Sequence, residues 1–192
     1  MILIVGLSAG VGYYFASVTA APKPAAAAKA TVVNLLVIPD YGGAGYDAFV
    51  LGSNLNATAP QAATNSTGPG QNDNNITVRA GVPVKFVITS VDNAVLQNFT
   101  GQVTTPFAFY NDTDSGQVAE GYAAGQNISE LAIGHTFTIS QAGLNIPIPP
   151  LTMVVFTYTF DKPGVYMYMC ETPCGPGMGL NGYMQGFIKV TA

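Results

Sequence analysis

The stretch Met153-Val-Val-Phe-Thr-Tyr-Thr-Phe-Asp-Lys-Pro-Gly-Val-Tyr-Met-Tyr-Met-Cys170 decides the fold class. Val154, Phe156, Tyr158 and Phe160 fall on one face of an extended chain, with Thr157 and Thr159 on the other. A period of two marks a half-buried strand. Asp161-Lys-Pro-Gly164 is a turn, and Val165 to Cys170 reads as the next strand. Outward from here the pattern recurs. Thr31 to Ile38, Asn75 to Val78, Val84 to Ser90, Thr136 to Ile139 and Gly186 to Thr191 all read as strands, and Pro106-Phe-Ala-Phe-Tyr110 is a candidate extra one. Asp40 to Gln71, rich in Gly, Asn, Ala and Pro, reads mostly as loop. Beyond the first twenty or so residues no segment has helical periodicity, so the expectation is an all-β sandwich.

Composition limits the function. Of 192 residues, 48% are hydrophobic and only 8% charged, with a net charge of −4 and six Lys plus Arg. Solubility then rests on Asn, Gln, Ser, Thr and Gly. No basic patch exists, which argues against a nucleic-acid partner.

Met1 to about Ala21 carries no charged side chain and would span about 31 Å as a helix, close to the ~30 Å hydrocarbon core. It reads as a membrane anchor in preference to a cleaved signal peptide: no Lys or Arg precedes it, and it exceeds the usual apolar length of a signal. Residues 22–30, Ala-Pro-Lys-Pro-Ala-Ala-Ala-Ala-Lys, read as an extended linker. Either N-terminal reading puts residues 31–192 on the extracytoplasmic face of the cell membrane. Six Asn-x-Ser/Thr sequons, at Asn56, Asn65, Asn75, Asn98, Asn111 and Asn127, fall among 13 asparagines. Composition alone would give roughly two or three. They suggest a glycoprotein, and with the low charge they suit an archaeal cell surface.

The chemistry is concentrated late in the chain. The only two cysteines, Cys170 and Cys174, follow a Tyr-Met-Tyr-Met run, and Met178 and Met184 lie in the Gly-rich segment beyond. The single histidine, His135, precedes them at the start of a strand. Outside the cell two thiols commonly form a disulfide, and spacing alone does not separate that from metal ligation. Thiolate, thioether and imidazole together select copper. Zinc with two cysteines, His135 and a fourth ligand is also chemically allowed.

Residues 75–90 and 134–191 resemble the CuA domain of cytochrome oxidase subunit II. The matching stretches are Ile88-Thr-Ser-Val-Asp92, His135-Thr-Phe137, Ala142-Gly-Leu-Asn-Ile-Pro-Ile-Pro149, Thr157 to Tyr166, Cys170-Glu-Thr-Pro-Cys174-Gly and Met184-Gln-Gly186. The chain is also similar to small archaeal blue copper proteins of the sulfocyanin and rusticyanin kind. The resemblance implies a Greek-key cupredoxin sandwich of seven or eight strands, with a long insertion at about 91–133. It implies a copper electron-transfer site in which His135 supplies the upstream imidazole, Cys170 and Cys174 the thiolates, Met184 a weak thioether, and Thr172 a backbone carbonyl. The implied partner is a membrane respiratory complex or redox protein, and the domain is not itself an enzyme.

One departure changes the site. Met178 stands where the family has a second histidine, so the two-imidazole dinuclear centre cannot form. A mononuclear copper site from His135, Cys170, Cys174 and Met178 or Met184 is favoured, with a dinuclear variant as the alternative. A metal-free structural or assembly subunit with a Cys170–Cys174 disulfide, and a copper-delivery protein, are the other readings.

Overall fold

The computed structural model describes residues 30–39, 47–51, 75–111, 118–175, 178 and 182–192. The expected anchor, the linker, Asn56 and Asn65 lie outside them. Among the described residues no helix is long and apolar enough to cross a membrane, and the regular structure is strand apart from one short 3-10 turn, Ser140–Ala142.

The strands are β1 (Thr31–Ile38), β2 (Ala48–Leu51), β3 (Ile76–Arg79), β4 (Pro83–Ser90), β5 (Gln97–Gln102), β6 (Phe107–Tyr110), β7 (Glu120–Tyr122), β8 (Asn127–Ile133), β9 (His135–Ile139), β10 (Leu144–Ile148), β11 (Met153–Thr159), β12 (Gly164–Met169) and β13 (Gln185–Thr191). One sheet has the order β2-β1-β4-β11-β6-β7, a second has β10-β9-β12-β13-β3, and β5 pairs with β8 in a separate ribbon. The seven or eight strands expected are thus thirteen among the described residues. The segment 91–133 accounts for four of them: β6 and β7 widen the first sheet, while β5 and β8 form the ribbon. Asn75, Asn98, Asn111 and Asn127 are all exposed.

Five of these strands escape a reading by pattern. β2 lies inside the Gly- and Asn-rich segment read as loop. β10 contains Pro147, tolerated because β10 is an edge strand that needs no ladder bond on its outer side. β5, β7 and β8 are short or mostly exposed, so few apolar residues mark them.

The two large sheets meet face to face through aromatic rings. Phe49, Phe86 and Phe156 come from the first sheet, Phe137 and Tyr168 from the second. The Phe137 ring lies between them, with centroids 5.9 Å from Phe49, 5.4 Å from Phe86, 5.8 Å from Phe156 and 5.0 Å from Tyr168. Phe86 and Phe156, paired across β4 and β11, stack at 4.9 Å. Alternation is what aims them: on β11 Val154 and Phe156 are buried while Thr157 is exposed.

Two local contacts anchor the strands that bear the late cysteines. In the β12–β13 register Tyr168 faces Gly186, and its ring crosses so close that any Cβ at 186 would overlap it. The glycine of the Met-x-Gly run therefore makes room for a buried tyrosine. At the turn, the Tyr166 hydroxyl donates to the Lys162 carbonyl at 3.0 Å. Nearby, burial, then Asp161 and Tyr166, raise the Tyr158 phenol above its ordinary value. It stays protonated and donates to the Ala142 carbonyl at 3.3 Å.

Phe137→Ala removes the ring on which both sheets close. It should cost about 3–5 kcal/mol of unfolding free energy, read from urea unfolding monitored by tyrosine fluorescence.

Candidate metal centre

Alternation carries the site residues inward as it carries the core. On β9, His135, Phe137 and Ile139 share a face, and His135 is wholly buried at the strand's first position. On β12, Tyr166, Tyr168 and the following Cys170 share the inner face, and Cys170 is also wholly buried. The two strands are neighbours in the second sheet, so imidazole and thiol meet where their inner faces end.

His135 Nδ1 is 3.9 Å from Cys170 Sγ. Cys174 completes a buried triangle: one nitrogen of His135 and the two sulfurs all lie within 4.8 Å of one another. The Cys170 and Cys174 sulfurs are joined as a disulfide, and among the described residues no cysteine is free. Their Cα atoms are 7.3 Å apart, wider than the roughly 4.4–6.8 Å usual in disulfides.

The loop is tied at its base. Cys170 N–H donates to the Met184 carbonyl at 2.9 Å, which brings the end of the loop back beside its start. Met184 is wholly buried, and both it and half-buried Met178 pack with the core cluster that includes the two cysteines. The Thr172 carbonyl accepts from Cys174 N–H at 2.7 Å and lies 3.1 Å from Cys174 Sγ and 3.9 Å from Cys170 Sγ. The Thr136 N–H points at Cys170 Sγ from 3.5 Å. His135, Cys170, Cys174 and Thr172 are therefore brought together directly, and Met184 through the backbone.

A role that residue patterns did not show belongs to Asp92. Its Oδ2 is 2.8 Å from His135 Nε2 in a buried pair, and its Oδ1 accepts from Ala94 N–H at 2.9 Å. The carboxylate is thus held by its own loop and fixes the imidazole. With Nε2 engaged, Nδ1 is the nitrogen presented to the sulfurs. Asp47, half-buried, brings a second carboxylate to the Asp92 side, within 4.8 Å of Asp92 and His135. The imidazole so stands between carboxylates and sulfurs. Asp92 sits in the Ser-x-Asp stretch noted above, but 43 residues separate it from His135. Only the folded chain joins them: Gly134 passes so close to the Ala94 carbonyl that a Cβ there would approach to 2.7 Å.

The atoms that could hold an ion are one imidazole nitrogen and, once the bridge is reduced, two sulfurs, all buried, with Met184 in the same core cluster. Such a set fits a soft, one-electron metal ion such as copper. Among solved structures, the chain is similar to the periplasmic domain of subunit II of cytochrome oxidase (CoxB) of Bradyrhizobium japonicum, at 13% identity and TM-score 0.39, covering 86% of this chain and 88% of that one. It is similar to a chain of a heme-copper terminal oxidase dimer at 18% identity and TM-score 0.38, covering 89% and 75% respectively. A third likeness is to the McoA multicopper oxidase of Aquifex aeolicus, at 10% identity and TM-score 0.42, covering 88% of this chain and 31% of that one. No protein-family model and no curated protein sequence matches the chain.

Removing the partner of a ligating imidazole typically weakens metal binding 10–100-fold. Asp92→Ala should do so here, measured by competition with a chromophoric Cu(I) chelator, while Asp92→Asn, which keeps a hydrogen-bonding group, should lose less.

Proposed function

We propose that this chain is an extracytoplasmic copper protein that passes single electrons, as a subunit or partner of a membrane respiratory complex, through a modified CuA-like centre. The observation that carries the reading is the buried triangle of His135, Cys170 and Cys174, with Asp92 holding the far side of the imidazole. In this reading His135 Nδ1, Cys170 Sγ and Cys174 Sγ hold the ion, and Met184 or Met178 supplies a weak thioether. When bound, copper supplies a Cu(I)/Cu(II) couple.

The rest is the work of the protein. Asp92 fixes the ring through Nε2, and the Cys170–Met184 backbone bond fixes the loop. The aromatic core behind the site excludes water and resists rearrangement when the charge of the ion changes. Low reorganisation suits outer-sphere electron transfer. With Met178 in place of a second imidazole, we favour a single copper ion over two.

The domain also presents apolar side chains around the Asp92 loop. Val95 is 59% exposed, Leu96 36% and Leu151 54%, and Leu151 N–H donates to the Asp92 carbonyl at 2.9 Å. Leu151 adopts φ +52°, an uncommon conformation for a side chain with a Cβ. We read these residues as the contact face for a redox partner, at the histidine end of the centre.

A second reading has its own observation, the Cys170–Cys174 disulfide: a metal-free subunit stapled by that bridge. The copper reading requires the reduced pair, since only the thiolate ligates a metal.

The decisive measurement is metal content with optical and EPR spectra of the oxidised, copper-reconstituted protein. One copper per chain, an intense thiolate-to-copper band and a four-line hyperfine pattern are expected; a seven-line pattern would mean two coupled coppers. No bound copper, with a Cys170–Cys174 bridge by mass spectrometry, would sink the reading. His135→Ala should abolish the coloured species while the strand signal in circular dichroism remains. Leu151→Asp should leave the optical spectrum unchanged and slow electron exchange with a purified respiratory oxidase by about tenfold, since a buried charge at an interface costs a kcal/mol or more.

A further inference from the structure

Thr172 reaches the site twice, through its carbonyl and through its hydroxyl, and the family resemblance gives a role only to the carbonyl. The hydroxyl is the more closely placed of the two. Thr172 is wholly buried, and its Oγ1 lies 2.9 Å from Cys170 Sγ, 3.1 Å from Cys174 Sγ and 2.8 Å from the Gly134 carbonyl oxygen.

Proton counting limits what these contacts can be. A threonine hydroxyl has one proton to give and two lone pairs. A carbonyl has no proton, so toward Gly134 the hydroxyl must donate. In the structure the bridged sulfurs carry no proton, and the hydroxyl gives its one proton to the Gly134 carbonyl. A thiolate can only accept. Metal ligation takes cysteine as thiolate, so the loaded centre surrounds one proton with three acceptors. Hydrogen bonds to ionised acceptors are roughly twice as strong as neutral ones, which favours sulfur over the Gly134 carbonyl.

We propose that the Thr172 hydroxyl donates its proton to the coordinated thiolates in the copper-loaded protein and thereby sets the centre's reduction potential. A hydrogen bond to a thiolate draws electron density from the sulfur and weakens its donation to copper. Weaker donation favours Cu(I) over Cu(II), so the potential rises; hydrogen bonding at the cysteine sulfur is an established lever on such potentials. Thr172 is a positioning and tuning residue here, not a ligand through this oxygen. The inference rests on the copper reading above and concerns the same site.

The test uses the full chain reconstituted with copper, as wild type and as Thr172→Val, Thr172→Ala and Thr172→Ser. Val keeps the side-chain shape and loses the hydroxyl, Ala loses it without any risk of crowding, and Ser restores it. At a fixed mediator potential the reduced-to-oxidised ratio should fall about tenfold in the Val and Ala variants, equivalent to 59 mV for one electron. The thiolate-to-copper band should move to longer wavelength in both and return in Ser. If wild type takes up no copper, the underlying copper reading fails. If copper binds and the ratio and band are the same with and without the hydroxyl, this inference is overturned. It is equally overturned if Ser behaves as Ala does, because the effect would then come from the lost methyl packing. Should Val fail to fold, Ala against Ser gives the same comparison.

Discussion

The position of one ring governs most of this structure. Phe137 lies where the two large sheets face each other, touching Phe49, Phe86 and Phe156 on one side and Tyr168 on its own. A ring committed inward at that point commits every second residue of β9 to the same side. His135, two residues earlier, has no other direction available. The burial of a polar imidazole is thus a by-product of aromatic packing, and the rest of the site is arranged to make that burial tolerable. Asp92 meets one nitrogen and the sulfurs meet the other.

Buried polar atoms are costly unless paired, and the site shows how completely the pairing is done. Asp92 is bonded to His135 and to its own loop. Thr136 Oγ1 accepts from Glu171 N–H at 2.8 Å, fixing the residue after Cys170. Thr138 Oγ1 bonds to Asn145 Oδ1 at 3.0 Å and so links β9 to β10. Each threonine along β9 attaches a neighbouring segment to the strand that carries the histidine. The site is therefore stiff because of the polar residues between the apolar ones, which face the opposite side of β9.

Much of this is legible in the chain. The alternation from Met153 to Phe160, the turn at Asp161 to Gly164 and the run into Cys170 name two consecutive strands, one in each large sheet, and the placement of His135 at the start of a strand is equally visible. The grouping of Cys170, Cys174 and Met184 follows from a short loop between paired strands. What pattern could not reach is whatever depends on contact between distant segments. Asp92 and His135 are 43 residues apart, and no local periodicity links them. β5 and β8 are stabilised by each other more than by their own apolar content, so residues such as Gln97 and Asn127 give no signal alone. Pro147 actively disguises β10, because a proline argues against a strand unless its edge position is known.

The bond from Cys170 N–H to the Met184 carbonyl has a consequence for how such a centre can diverge. It closes residues 171–183 into a lasso whose neck is held by the sandwich, with Tyr168 lying over Gly186 just below the knot. The start of the bow is tied to the sandwich as well, through Glu171 N–H to Thr136 and the Thr172 hydroxyl to the Gly134 carbonyl. The bond at the neck is made by backbone atoms alone, so side chains between Cys174 and Met184 can change without breaking it. The scaffold and the side-chain chemistry of this loop are in this sense separately editable, because the bond that closes it does not depend on residue type.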